Sequence, residues 1–441
     1  MRLAVVGGKL QGTEAAYLAG EAGYEVVLVD RRPGRPAAGL AADVHTFDVT
    51  ADPVRARDVF LSCDAVLPAC EDDDTLAFLA SFVPGLGVPL LFDLDAYAVT
   101  QSKSASNELF AALDVPRPRA WPPCGYPAVV KPDVGSGSAG VEIVWSEPEL
   151  ALARGRLAAH GAGVVVEEFV AGPSLSVDMV AFGGVTVTLA PTWLEFDRVW
   201  DCKRVVAPVR GAALDPASQG GGSDVVSAAT LEALDEAARR LAGAVGQLEP
   251  ATVPGLPGRA RGLRGVMDIE AMVPADGVPR VIEIDARLPS QTPACAFHAS
   301  DVNVIEVLAE TFAAGAVPPA LAGGRPAETA ARRGAVYEHV LVADGRVEVL
   351  GEHVVGAAGP LRRYDGLWGA DVVLTDGPVE RTAGTGIVVL DEVRAARAGG
   401  PNGRWVAVIM TRGETASEAR SRAARAVERL ADEHGLDVVL E

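Results

Sequence analysis

Between Arg2 and Asp30 the chain switches between two hydrophobic periods. RLAVVG (2–7) is a continuous apolar run of strand length, the segment to about Gly23 spaces its apolar residues as a helix does, and EVVLVD (25–30) is apolar again and ends on an acid. This predicts a β-α-β start with a glycine-rich turn at Gly7, Gly8 and Gly12. AVLPA (65–69) and VPLLF (88–92) read as further buried strands of an open parallel sheet over residues 1–95. Glu71 follows the third strand, at the edge where such sheets bind ligands.

Residues 96–180 form a second expected unit. Its first part, from Ala96, reads as a helix with Ser102 to Asn107 near its start, ending before a proline-rich connector. A strand then ends in Lys131, a Gly/Ser loop follows, and VEIV, VVVEEFVAG and SLSVDMVAF continue in extended form. The third unit, 181–441, carries a helix over 231–248, an acidic hairpin over 266–293, an amphipathic helix in 298–315, strands from Ala335 and a final amphipathic helix in 413–435. Segments near 217–224, 249–263 and 322–334 are Gly-, Pro- and Ala-rich and read as surface insertions. The class is therefore mixed, α/β at the start and α+β afterwards.

The hairpin holds the most specific chemistry. VMDIEAMVPADGVPRVIEIDARLPSQTP alternates apolar and acidic positions on both sides of Asp276-Gly277, which places Glu270, Glu283 and Asp285 on facing positions. Either half alone reads as the wet face of a two-layer sheet. Together, three converging carboxylates repel one another unless a divalent cation sits between them, and oxygen ligands beside phosphate suit Mg²⁺. Arg287 adds a fixed bidentate cation on the same face as Asp285. In the Gly/Ser loop, small residues let backbone N–H groups close on phosphate with Lys131 as a point charge, although a plain hairpin loop has the same composition. The turn GGKLQG lacks the G-x-G-x-x-G spacing of dinucleotide sites, so a nicotinamide-dependent oxidoreductase is the weaker reading.

Length and charge narrow the class. With 441 residues and 49% apolar content the chain is long enough for two or three globular domains. A formal charge of −20 argues against a nucleic-acid partner. No apolar run reaches the length of a membrane span or a signal segment, and five cysteines without metal spacing fit a reducing cytoplasm.

Lys131 in a Gly/Ser loop, the EExVxG hinge at 167–172 and the later Glu283-x-Asp285-x-Arg287 occur in the order found in the ATP-grasp superfamily of carboxylate–amine ligases, which the chain resembles. Within it, GGKLQG, LFDLDAY, WDC, GVMDIEA, EIDARLPSQTP and YEH are similar to the amino acid ligases of pyrrolysine biosynthesis. The resemblance implies an ATP-grasp fold preceded by an open parallel-sheet domain, ATP and two Mg²⁺ ions as cofactors, 3-methyl-D-ornithine and L-lysine as substrates, and a homodimer. It assigns Lys103 and Lys131 to nucleotide phosphates, with Lys131 also catalytic, and puts Ser136 and Ser138 in a closing loop. Glu167, Glu168 and Val170 would line adenine and ribose, with Asp178 standing where the family has Glu. Glu270, Glu283 and Asp285 match its magnesium strands, and Asp285 is open to metal, substrate amine or both. Arg287 is placed to stabilise the oxyanion formed when an amine attacks an acylphosphate. Gly8, Lys9, Leu10 and Gln11 in the opening turn, with Glu71, Asp197, Asp201, Asp285, Arg287 and Ser290, are the candidate substrate residues. For Asp197 and Asp201 a surface salt bridge is an equal alternative. Lys203 stands where the methanogen-type ligases have His, so a different amino acid pair is the alternative within the superfamily.

Overall fold

A computed structural model of the chain describes residues 1–159, 161, 163–208, 226–246, 262–321, 331–375 and 405–439. Of the expected insertions, 217–224 lies outside the described residues, as do 249–261 of the one at 249–263 and 322–330 of the one at 322–334.

The opening unit is built from β1 (Arg2–Val6), α1 (Leu10–Glu21), β2 (Glu25–Asp30), β3 (Asp43–Thr46), α2 (Pro53–Phe60), β4 (Ala65–Pro68) and α3 (Asp73–Phe82). Its four strands are parallel in the order β3-β2-β1-β4, and Leu3, Val5, Val27 and Leu67 are sealed between the helices. The strand expected at 88–92 contributes only a bridge from Leu90 to Val66, and Pro89 has no N–H to extend the pairing. Gly7 sits at φ +108° with the Ala69 carbonyl where a side chain would stand, so the opening turn is closed to larger residues.

Next come α4 (Leu94–Thr100), α5 (Lys103–Ala112), β5 (Ala128–Pro132), β6 (Glu142–Val144), α6 (Glu147–Ala159) and β7 (Val164–Glu168). The one helix expected from Ala96 is two, because the Ser102 hydroxyl accepts from the Ala105 amide and starts a new helix there. The strands form an antiparallel sheet in the order β6-β5-β7, packed on Leu150 and Ala153 of α6.

The rest follows as β8 (Ser174–Phe182), β9 (Val185–Thr188), β10 (Thr192–Phe196), β11 (Cys202–Ala207), α7 (Ala228–Ala244), β12 (Gly265–Met272), β13 (Arg280–Asp285), α8 (Thr292–Ser300) and α9 (Val304–Ala314). Then come β14 (Gly334–Ala343), β15 (Arg346–Leu350), α10 (His353–Gly356), β16 (Leu361–Leu367), β17 (Ala370–Thr375), β18 (Trp405–Gly413), α11 (Ala416–His434) and β19 (Asp437–Val439). Among the described residues these strands make one twelve-stranded sheet with the path β13-β12-β8-β10-β11-β14-β18-β17-β16. Residues 174–180, assigned to the second unit by the sequence, lie in β8 and pair with β12 and β10 of this sheet. The helix expected over 298–315 is also two: Asp301 takes φ +66° and ends α8, and Asn303 accepts from the Ile305 and Glu306 amides to start α9.

One buried relay fixes the opening unit on the large sheet. Arg412 Nε donates to His298 Nδ1 (2.6 Å), which leaves the Nε2 proton for the Tyr17 oxygen at 2.8 Å. Burial and the neighbouring Arg412 push His298 down to about 3, so the imidazole stays neutral and this polarity holds. Asn303 Nδ2 donates to the Leu18 carbonyl (2.7 Å) and anchors the same helix α1. Among the described residues no helix is long and apolar enough to cross a membrane.

Candidate active site

The β12–β13 hairpin pairs Glu270 with Glu283 and Asp268 with Asp285. Alternation puts these four acids on one face while Met267, Ile269, Ala271 and Ile284 bury the other in the core that includes Leu234 and Leu241 of α7. Four carboxylates that close are costly to ionise together. Burial first, then the charges of Glu283 and Asp285, push Glu270 from 4.5 to about 8. Burial likewise pushes Asp285 from 3.8 to about 7, against the pull of Arg287, and raises Asp268 well above its ordinary value. An all-oxygen donor set in which Glu270, Asp285 and Asp268 resist ionisation fits a hard divalent cation, which would remove that repulsion. The expected facing of Glu270, Glu283 and Asp285 is present, and Asp268 joins it.

Arg287 stands at the mouth of this face. Its Nη2 lies 3.0 Å from Asp285 Oδ2 and 2.9 Å from Glu71 Oε1, so the guanidinium is held between the hairpin and the opening unit. Glu71 also accepts from Gln11 Nε2 (3.0 Å) and from Ser136 Oγ (2.7 Å). One carboxylate thus ties together the opening turn, the Gly/Ser loop and the arginine.

The two lysines meet the hairpin from the other side. Lys103 Nζ lies 2.9 Å from Glu283 Oε1 and donates to the Gly135 carbonyl (2.7 Å). Lys131 Nζ lies 2.6 Å from Glu167 Oε1 and donates to the Ile282 carbonyl (3.1 Å). Both are buried, so their charges act at short range in a poorly screened setting. The Gly/Ser loop takes positive φ at Gly135, Gly137, Ser138 and Gly140, and its Ala139 and Val141 amides turn back onto the Ser136 and Ser138 carbonyls.

The remaining expected residues are distributed less evenly. Val170 is buried beyond the hinge, whereas the Glu168 carboxylate is occupied by Arg119, 2.8 Å from its Nη2. Asp178 is 1% exposed and accepts from Thr292 Oγ1 (2.8 Å), four residues along β8 from Ser174 and thus away from the hinge. Gly8 donates its amide to Asp30 Oδ2 (2.8 Å), Lys9 is exposed, Leu10 is half-buried, and Gln11 is buried. Ser290 Oγ donates to Glu352 Oε2 (2.6 Å).

Asp197 and Asp201 are buried, and with the exposed His353 they bring three donor atoms within 4.8 Å of one another, a set that could hold a metal ion, while Asp201 also lines the cleft. Asp197 accepts from the amides of Val199, Asp201 and Gly351, at 2.9, 3.0 and 3.0 Å. Asp201 accepts from the His353 amide (3.0 Å) and from its imidazole. They clasp the backbone on both sides of Glu352, and a Cβ at Gly351 would collide with the Asp201 carboxyl.

A cleft of about 520 Å³ opens over these groups, lined by the turn at Gly8–Gln11, by Glu71, Ser136 and Ser138, by the hairpin acids and Arg287, and by Glu352. Lys103, Lys131, Glu167, Glu168, Val170, Asp178 and Asp197 are not part of its wall. Among the wall residues that the sequence reading did not single out are Asp268, Gln291 and Glu352. Asp268 was legible, standing two positions before Glu270 in the alternating run. Gln291 and Glu352 had no local signal, and Ser290 Oγ and Gln291 Nε2 (2.8 Å) hold Glu352 in the site; its burial raises its affinity for a proton.

Lysines facing a carboxylate hairpin under a glycine loop define, with this fold, an ATP-grasp ligase. The structure superposes on the L-amino acid ligase of Bacillus licheniformis with a TM-score of 0.60 at 17% identity, covering 100% of this chain and 98% of that one. It superposes on the biotin carboxylase domain of Hydrogenobacter thermophilus 2-oxoglutarate carboxylase, solved with MgADP, ADP and bicarbonate, with a TM-score of 0.65 at 13% identity, covering 97% and 89%. No family model matches the chain. The 3-methyl-D-ornithine–L-lysine ligase of Methanosarcina acetivorans is 32% identical over 378 residues, 85% of this chain and 89% of that one. The chain belongs to the family of 3-methyl-D-ornithine–L-lysine ligases and is an ATP-dependent amino acid ligase.

Proposed function

We propose that the chain joins the α-carboxylate of 3-methyl-D-ornithine to the ε-amine of L-lysine in pyrrolysine biosynthesis, with ATP converted to ADP and phosphate. The observation that carries this reading is the meeting of the hairpin acids, Arg287 and Glu71 in one cleft, between the opening turn and the lysine-bearing loop. The ligases named for this reaction, 29–32% identical over 85% of the chain, support the substrate pair.

A carboxylate is a poor acyl donor, so it first takes the γ-phosphoryl of ATP. Lys103 and Lys131 would hold the phosphates, with the Ser136–Ser138 loop closed over them, and Glu167 and Val170 would border the adenine and ribose. Glu270, Glu283 and Asp285 would hold Mg²⁺, which when bound neutralises charge on the transferring phosphoryl group. The lysine amine then attacks the acyl carbon, phosphate leaves, and Arg287 faces the oxyanion that forms in between. In this reading residues 1–95 form the domain preceding the ATP-grasp unit, and water is kept from the acylphosphate by loop closure.

Purified protein incubated with ATP, Mg²⁺, L-lysine and 3-methyl-D-ornithine should release ADP in step with a product of the dipeptide's mass. ADP release that needs neither amino acid would end the reading. Product only with another amino acid pair would keep the ligase and replace its substrates, the outcome for which Lys203 is the sequence's one hint.

A further inference from the structure

Beside Glu71 and the opening turn, the opening unit lines the cleft with charged groups that phosphoryl transfer does not use. Among the described residues four cations stand in the cleft wall: Lys9, Arg31, Arg35 and Arg287. Arg287 is held by Asp285 and Glu71, Arg31 pairs with Asp72 while its side chain stays 53% exposed, and Lys9 is exposed as well. Arg35 differs. Its side chain is 18% exposed, and only its Nε is engaged, at 3.2 Å from Asp30 Oδ1. Among the described residues no acceptor meets its Nη1 or Nη2.

The position of this arginine is set by the opening turn. Asp30 also accepts from the Gly8 amide through Oδ2 (2.8 Å) and from the Arg32 amide through Oδ1 (2.8 Å), so the carboxylate that orients Arg35 is itself fixed. The Ala37 amide donates to the Gly8 carbonyl (3.1 Å), and Pro36 stiffens the chain between Arg35 and Ala37. A Cβ on Gly8 would come within 2.7 Å of Arg35 Cβ, so the arginine stem lies against a turn that only glycine leaves open. From Gly8 the chain runs on to Gln11, whose amide meets Glu71, the partner of Arg287. A guanidinium held through Nε keeps its two Nη groups as parallel donors, the geometry that grips a carboxylate in two places.

We infer that Arg35 anchors the α-carboxylate of the amine-donating amino acid, L-lysine in the proposed reaction. The substrate that is activated spends its carboxylate on phosphoryl transfer at the hairpin. The amine donor keeps its carboxylate throughout and reacts at the far end of its side chain. One anion therefore has to be held in a wall that includes Asp48, Glu71 and Asp201, and it needs a cation set apart from Arg287. Arg35 and Arg287, linked through the opening turn, serve the two ends of such a substrate: one grips its carboxylate, and the other faces the carbon that its amine attacks. The anchor rests on the proposed ligase reading for the identity of its occupant.

The test compares L-lysine with cadaverine, the same chain with hydrogen in place of the carboxylate, as amine donors for the full-length protein with ATP, Mg²⁺ and 3-methyl-D-ornithine. Product mass and ADP release give kcat/KM for each amine in the unaltered protein and in Arg35→Met and Arg35→Lys. The unaltered protein should prefer lysine. Arg35→Met should lose at least about tenfold for lysine, through KM, as expected for lost hydrogen bonds to a charged group, while the values for cadaverine and the KM for ATP change by less than about threefold. Arg35→Lys, which keeps the charge without the fork, should fall between. Retained turnover of cadaverine shows that the Arg35→Met protein is folded. No preference for lysine in the unaltered protein overturns the anchor, and so does a preference that survives Arg35→Met; in both cases the ligase itself stands. Equal losses for the two amines, or a loss confined to the KM for ATP, overturn the anchor too. No product from lysine in the unaltered protein ends the ligase reading, and the anchor with it.

Discussion

Arg287 Nη2 lies 2.9 Å from Glu71 Oε1, across the boundary between the large sheet and the opening unit. The same carboxylate receives Ser136 from the Gly/Ser loop and Gln11 from the opening turn, so the position of Arg287 depends on three segments far apart in sequence. Glu71→Gln keeps the shape and removes the charge. Misplacing a positioned group by an ångström costs about a hundredfold in rate, and turnover should fall by about ten- to a hundredfold. Stability should change by less than about 1 kcal/mol because Glu71 is part-exposed to solvent. Steady-state kinetics beside thermal unfolding checks both.

Asp197 and Asp201 hold the amides of Gly351 and His353 and so fix Glu352 between them. Asp197→Ala and Asp201→Ala should raise the KM for one amino acid substrate by about tenfold, the effect of roughly 1.4 kcal/mol, while nucleotide affinity stays within twofold. Equal losses for nucleotide and amino acid would show that the clasp only supports the fold.

The hairpin acids set a pH dependence. Glu270 titrates near 8 and Asp285 near 7, above their ordinary 4.5 and 3.8, so the folded protein holds protons there that an unfolded chain has released. With more protons bound in the folded state, stability of the metal-free protein should fall as pH rises from about 5 to 8. Mg²⁺ takes the ionised form, so its affinity should rise over pH 6 to 8 and level off above. Titrations in buffers of different ionisation enthalpy should show proton release on Mg²⁺ binding at pH 7, and none at pH 9.

Ile269 is fully buried on the reverse of the hairpin, in the core shared with Leu234 and Leu241. Ile269→Ala should cost about 2–5 kcal/mol in urea unfolding. Because this side chain stands between Asp268 and Glu270, Mg²⁺ affinity should drop as well.

Much of this was legible in the chain. Alternation over 266–285 gave the hairpin and its acidic face, since side-chain period and strand pairing are local properties, and the glycine turn gave the opening β-α-β unit. What failed was decided by distant partners or by single residues. Glu352 enters the site through Ser290, 62 residues away, and nothing near it in sequence signals that contact. That Asp197 and Asp201 also accept from the amides of Gly351 and His353 is invisible without the fold of the 351–353 segment. Helix ends moved because Ser102, Asp301 and Asn303 interrupt patterns that are otherwise continuous.

The central claim is that the cleft transfers phosphoryl from ATP to a substrate carboxylate before the amine attacks. It is tested most directly by supplying 3-methyl-D-ornithine labelled with ¹⁸O in its carboxylate, with ATP, Mg²⁺ and L-lysine, and weighing the released phosphate by mass spectrometry. One ¹⁸O should appear in phosphate for every dipeptide formed, because the acyl oxygen bonded to phosphorus leaves with it. Dipeptide formed with unlabelled phosphate, or with AMP in place of ADP, would contradict the account.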